Sequence, residues 1–149
     1  MFWAPQELRT YFTTFSTSGR RRVFQVEKNA LLMVDTLHDY RTQGRFSLHA
    51  FVVMPDHVHA LITPATDVSL EKSIQFMKGG FSFRLSSKFD VWERGHFDKR
   101  VPDGQAFAAC VTYIHRNPVV AGFVAEEGEY AYSSAAEPNE LDPAPGWLR

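Results

Sequence analysis

Apolar and polar positions follow an ordered pattern along the 149-residue chain. Residues 11–17 are aromatic and β-branched, which predicts a strand. The run Ser18-Gly19-Arg20-Arg21-Arg22 reads as a loop. From about Gln25 to Tyr40, apolar residues fall at Val26, Ala30, Leu31, Val34, Leu37 and Tyr40, the steps of three and four that predict a helix. Gln43-Gly44 ends it. Residues 46–54 and 57–63 read as two strands joined at Pro55-Asp56, hence a hairpin. A second helix starts at Asp67 or Ser69 and extends to about Lys88, with Gly79-Gly80 as a place for a kink. Residues 91–102 are mixed. Asp103 caps a third helix running to about Arg116, where Asn117-Pro118 should stop it. The last 20 residues, with Pro138, Pro143, Pro145 and Gly146, read as irregular.

This order predicts an α+β fold: a ferredoxin-like antiparallel sheet with helices packed on one face. One domain over residues 1–135 and an irregular acidic tail over 136–149 account for the chain.

Composition narrows the class. The chain is 44% hydrophobic and 14% aromatic, enough for a buried core. No apolar run is long enough to span a bilayer, and residues 1–5 carry no secretory signal. The single cysteine, Cys110, excludes an internal disulfide and a multi-cysteine zinc site. A reducing cytoplasm is the expected compartment. The net charge of −1 hides an asymmetry, because residues 126–149 hold six acids and one base. The first 125 residues therefore carry a net +4, mildly basic, as suits an enzyme that contacts phosphates.

Two places carry chemistry. His57 and His59 are two apart on a strand, so both imidazoles point to one face and can reach one ion. Two satisfied or exposed histidines near a turn fit the same spacing, and two imidazoles alone do not complete a metal site. In the hairpin register, Val52 lies opposite His59 and Met54 opposite His57. That register sends His49 to the other face with Phe51 and Val53, as a structural residue. Tyr113 and Asn117 are four apart and share a helix face if the last turn persists. A phenol is a nucleophile and an amide oxygen a ligand for a hard cation. A core tyrosine and a helix-capping asparagine fit the same spacing, and this helix taken alone favours them. His115 projects away from Tyr113 and stays outside this set.

Together these segments resemble a known family. Met54-Pro55-Asp56-His57-Val58-His59-Ala60-Leu61 is similar to the His-hydrophobic-His signature of single-tyrosine transposases. Residues 113–122, Tyr-Ile-His-Arg-Asn-Pro-Val-Val-Ala-Gly, resemble their C-terminal helix motif. Residues 11–24, 78–84, 92–97 and 132–135 resemble further landmarks of the REP-associated tyrosine transposases, in the same order.

The resemblance implies a ferredoxin-like domain with Tyr113 as nucleophile and a divalent metal, Mg²⁺ or Mn²⁺, on His57, His59 and Asn117. It implies cleavage and rejoining of single-stranded or hairpin DNA through a 5′-phosphotyrosine, by a monomer or a homodimer. Arg20, Arg21, Arg22, Lys78, Arg84 and Lys88 become candidates for DNA backbone contacts. Trp92 and Phe97 become candidates for stacking on unpaired bases. The competing readings are a domesticated, non-catalytic DNA-binding protein and a hydrolase in which water attacks.

Overall fold

A computed structural model describes residues 7–137 and 141–148. Residues 1–6, 138–140 and 149 lie outside the described residues, Pro138 and Glu140 of the tail among them. Four strands form one sheet: β1 (Thr10–Ser16), β2 (Phe46–Met54), β3 (His57–Pro64) and β4 (Phe97–Val101). Their order is β2-β3-β1-β4 and every pairing is antiparallel. Three helices complete the fold: α1 (Glu27–Thr42), α2 (Leu70–Leu85) and α3 (Gly104–Val120). The order β1-α1-β2-β3-α2-β4 with this strand arrangement is ferredoxin-like.

The sheet is covered on both faces, so the expectation of helices on one face holds only for α1 and α2. Ala30, Met33 and Leu37 of α1 and Ile74, Met77 and Phe81 of α2 pack with Val58, Ala60 and Ile62 of β3 in one core. α3 lies across the opposite face, where Ile114 packs with Ala50, Val52, Leu61 and Val101. Alternation along β3 divides the strand between these cores and leaves His57 and His59 on the α3 face. Ile114 is fully buried, a contribution of roughly 1.5–3 kcal/mol.

Local signals explain most boundaries. Ser69 accepts a hydrogen bond from the Lys72 amide and Asp103 from the Ala106 amide, so both act as N-caps. Gly79-Gly80 does not interrupt α2. A Cβ at Gly80 would meet the Tyr40 ring at 2.5 Å, so Gly80 serves close packing of α1 on α2. The third helix does not stop at Arg116. It passes through Pro118, which has no amide to donate to the Ile114 carbonyl. Gly122, at φ 83°, ends it, and its amide donates to the Val119 carbonyl.

The hairpin register is the expected one, with Val52 opposite His59 and Met54 opposite His57. His49 departs from expectation. A bulge between Leu48 and Ala50 inverts its direction, so it faces α3 rather than joining Phe51. Its Nδ1 donates to the Asp142 carbonyl at 2.9 Å, which leaves Nε2 to accept from the Thr63 hydroxyl at 2.8 Å. Thr63 is in turn 2.7 Å from the Thr10 hydroxyl, and the Phe107 ring of α3 lies 5.1 Å away. His49 remains structural, as expected. Asp142 also pairs with Arg41 through both carboxylate oxygens, which docks the described tail on α1 and β2.

Burial lowers the His49 imidazole below 6.5, partly offset by the Asp142 carbonyl. A histidine lowered in the fold takes up its proton more readily when unfolded. Its contribution to stability is therefore fully present above about 6.5 and is lost as pH falls below that value. Burial lowers His59 and His115 as well, so the slope is shared. Denaturant titrations across this pH range should show stability falling with acid, and less steeply in His49→Gln. An unchanged slope in that variant would refute the assignment.

Candidate active site

The site forms where the middle of α3 crosses β3 and β1. The Tyr113 ring lies 5.5 Å from the His59 ring and 5.7 Å from the Phe12 ring. Phe12 stacks on His59 at 5.4 Å. His57 and His59 rings are 4.8 Å apart. Tyr113 is 54% exposed, whereas His59 is 6% exposed. A tyrosine that only filled the core would be buried, so Tyr113 stands at an open rim over a closed floor.

Each imidazole is held by its Nδ1. The His57 Nδ1 is 2.7 Å from an Asp56 carboxylate oxygen, an acceptor only, so this nitrogen carries the proton. The His59 Nδ1 is 2.7 Å from the Thr14 hydroxyl, supplied by the neighbouring strand in the Thr14–His59 register. Nε2 of His57 is thus left as the electron-pair donor, and so is that of His59 in the tautomer whose Nδ1 donates to Thr14, the arrangement that outer partners give to metal-binding histidines. Burial, with the His57 and Arg20 charges, pushes His59 down to about 3, so it is neutral near pH 7. Neutral imidazole is the ligating form.

Asp56 is itself braced. Arg20 donates to its other oxygen at 3.0 Å and to Ser16 at 3.3 Å. Burial would raise the Asp56 carboxyl, but hydrogen bonds from His57 and Arg20 hold it below the usual carboxylate range. Arg20 adopts φ 54°, a left-handed conformation unusual outside glycine, while making these contacts.

Because α3 continues past Pro118, Asn117 lies one helical turn beyond Tyr113 on a neighbouring face. The start of α3 lies over His49 and its middle over His59, so this turn extends toward the hairpin end that carries His57. Among the described residues, no hydrogen bond links Asn117 to either imidazole, and no group of three His, Cys, Asp or Glu converges anywhere. The donors that share one face are therefore the two imidazole nitrogens. They suit a divalent cation that completes its shell with water or phosphate oxygens. His115 turns away and meets the Ser134 hydroxyl at 2.7 Å.

The cationic candidates separate. Arg20 sits beside the histidines. Arg21 is exposed and donates to the Ser18 and Asp90 carbonyls, and Arg22 is exposed. Lys78 is half-buried and bridges the Glu93 and Gly95 carbonyls at 3.0 and 2.9 Å. Arg84 pairs with Asp39 of α1 at 2.9 Å. Lys88 follows α2 in an exposed loop. Lys78 and Arg84 belong to the helix layer behind the sheet and do not join His57, His59 and Tyr113. Trp92 is not available for stacking on DNA either. It packs among Phe15, Phe24 and Phe81, and its indole donates to the Lys78 carbonyl. Phe97 is 56% exposed and lies on the α3 face.

Sequence reasoning missed three supports: Thr14, Asp56 and Phe12. Asp56 adjoins His57 but reads as a turn former. Thr14 and Phe12 reach His59 only through the β1–β3 pairing. Thr14→Val removes one hydroxyl and keeps a β-branched strand residue. It should weaken Mn²⁺ binding about 10- to 100-fold by calorimetry, with Thr14→Ser restoring it. Unchanged binding in Thr14→Val would remove Thr14 from the site.

With this geometry established, comparison with known proteins assigns the family. The family model for IS200-like transposases matches residues 7–117. The REP-associated tyrosine transposase of Escherichia coli K12 is 24% identical over 131 residues, covering 84% of this chain and 75% of its own. A Haemophilus influenzae protein given the same assignment provisionally is 26% identical over 145 residues, covering 83% and 78%. The solved structure of a REP-associated tyrosine transposase bound to a REP hairpin superposes with a TM-score of 0.76 at 20% identity. That likeness covers 90% of this chain and 81% of the other, and it shows the shared fold. Since the family model spans well over half of its length, the chain belongs to the IS200-like transposase family.

Proposed function

We propose that this transposase-family chain cuts and rejoins single-stranded DNA beside a hairpin, with Tyr113 as nucleophile and a divalent cation, Mg²⁺ or Mn²⁺, as cofactor. The observation that carries the proposal is the half-exposed Tyr113 ring 5.5 Å from a buried, neutral histidine whose Nδ1 is already engaged. The hairpin as partner is supported by the related transposase solved with a REP hairpin.

In this reaction the Tyr113 phenol gives up its proton and its oxygen attacks phosphorus. The new tyrosyl–phosphorus bond forms as the bond from phosphorus to the 3′ oxygen breaks, and the 3′ oxygen takes up a proton. The product is a 5′-phosphotyrosine and a free 3′-hydroxyl. The diester energy is kept, so a second 3′-hydroxyl can reverse the exchange and join strands without ATP. His57 and His59 would hold the cation through Nε2 and Asn117 through its amide oxygen. Such an ion supplies charge that offsets the charge developing on the non-bridging oxygens. Arg20, bonded to Asp56 at the hairpin turn, and the exposed Arg22 would contact flanking phosphates.

The test is incubation with labelled hairpin DNA carrying single-stranded flanks, with Mn²⁺, followed by a denaturing gel. The expected product is a covalent protein–DNA adduct whose modified peptide contains Tyr113. Cleavage without an adduct would point to attack by water. Binding without cleavage would point to a non-catalytic DNA-binding protein.

A further inference from the structure

Beside Tyr113, on the side away from the histidines, a pocket of about 280 Å³ opens between β4, β1 and α3. Phe12, Val101, Ala106 and Cys110 make it apolar, and Phe97 and Lys99 stand at its open side. Strand register explains the lining. Phe97 pairs with Thr14, Lys99 with Phe12 and Val101 with Thr10, so alternate β4 residues face α3. Phe97 lies 6.3 Å from Phe12, edge to face, and Phe12 touches Tyr113. β4 is an edge strand, and Phe97 through Arg100 are exposed. The histidines stand on β3, two strand spacings away, about 10 Å. A phosphate between Tyr113 and the histidines would therefore put its neighbouring nucleoside over this pocket.

We propose that the pocket between β4 and α3 takes the unpaired base adjoining the scissile phosphate. The base stacks on Phe97 and Lys99 contacts the next phosphate. The proposal rests on the reading of Tyr113 as the nucleophile. Chemistry selects the occupant. The cavity is apolar and walled by an exposed aromatic ring, as a nucleobase face requires, and its rim is cationic, as the attached phosphate requires. It is continuous with Tyr113 through Phe12. Phe97 and Lys99 would then be specificity-determining residues that set which nucleotide is accepted at the cut.

The test is a coupling measurement in Tyr113→Phe protein, so that binding is read without cleavage. Fluorescence anisotropy follows a palindromic DNA hairpin with single-stranded flanks, in which an abasic residue is stepped along each flank. At one position the missing base should weaken binding about tenfold, Phe97→Ala should weaken it as much, and the two together no more. Phe97→Trp should restore binding to the intact oligonucleotide. Lys99→Met should lower the logarithmic salt slope by about 0.7, one phosphate contact on a single strand. Phe97 is exposed, so its truncation leaves the core intact. Additive losses, or no position that couples to Phe97, would overturn the proposal. An adduct on Tyr113 in the parent protein, with no coupled position in Tyr113→Phe, would sink the subsite alone. A coupled position with no adduct would sink the cleavage reading alone.

Discussion

Tyr113→Phe should abolish both DNA cleavage and the covalent adduct, on the order of 10⁴-fold or more, while hairpin binding persists. The reason is chemical. The substitution removes only the phenolic oxygen, and the Thr14 hydroxyl that also reaches His59 is engaged with its Nδ1. The fold should be unaffected, because the ring's contacts with Phe12 and His59 are aromatic and phenylalanine keeps them. Among the described residues the Tyr113 hydroxyl makes no hydrogen bond whose loss would cost stability. Circular dichroism and hairpin affinity should therefore match the parent while the adduct band disappears. Cleavage that survives in Tyr113→Phe would remove the nucleophile assignment at once.

Loss of an imidazole should be nearly as severe. His57→Ala and His59→Ala should each weaken Mn²⁺ binding by more than about 100-fold, beyond the range seen for outer-shell partners, and cleavage should fall with it. The two variants should differ in stability. His59 is buried under Phe12 and Tyr113 and bonded to Thr14, so its truncation leaves a cavity and an unpaired hydroxyl at a cost of roughly 1–3 kcal/mol. His57 is less buried than His59, with 18% of its side chain exposed beside Asp56, so its truncation should cost less. Calorimetry with Mn²⁺, paired with thermal unfolding, separates ligand loss from unfolding. A His57→Ala protein that folds and binds Mn²⁺ normally would exclude the histidine pair as the cation site.

Much of the fold was legible because its signals are local. The Pro55-Asp56 turn set the hairpin register, and that register placed Val52 opposite His59. Ser69 and Asp103 announced their helices through cap chemistry. The errors were also local rules overruled by context. Asn117-Pro118 reads as a stop, yet Pro118 is buried within α3 and the helix continues to Val120. His49 followed strict alternation on paper, and one bulge reversed it. Residues 91–102 showed no clear period because β4 is short and exposed on both faces.

For the site, the histidine pair on one strand face was legible in the sequence, and so was the four-residue spacing of Tyr113 and Asn117, which becomes one helical turn only because α3 continues through Pro118. Both follow from periods of two and of four that any strand or helix obeys. Tertiary structure alone decided that these two elements meet. α3 had to pack on the histidine face of the sheet, opposite α1 and α2, before Tyr113 could stand over His59. It also decided that Thr14, 45 residues from His59, holds that ring, and that Arg84 is spent on Asp39. Such contacts depend on which apolar faces bury one another across the whole chain, and no local period encodes that choice.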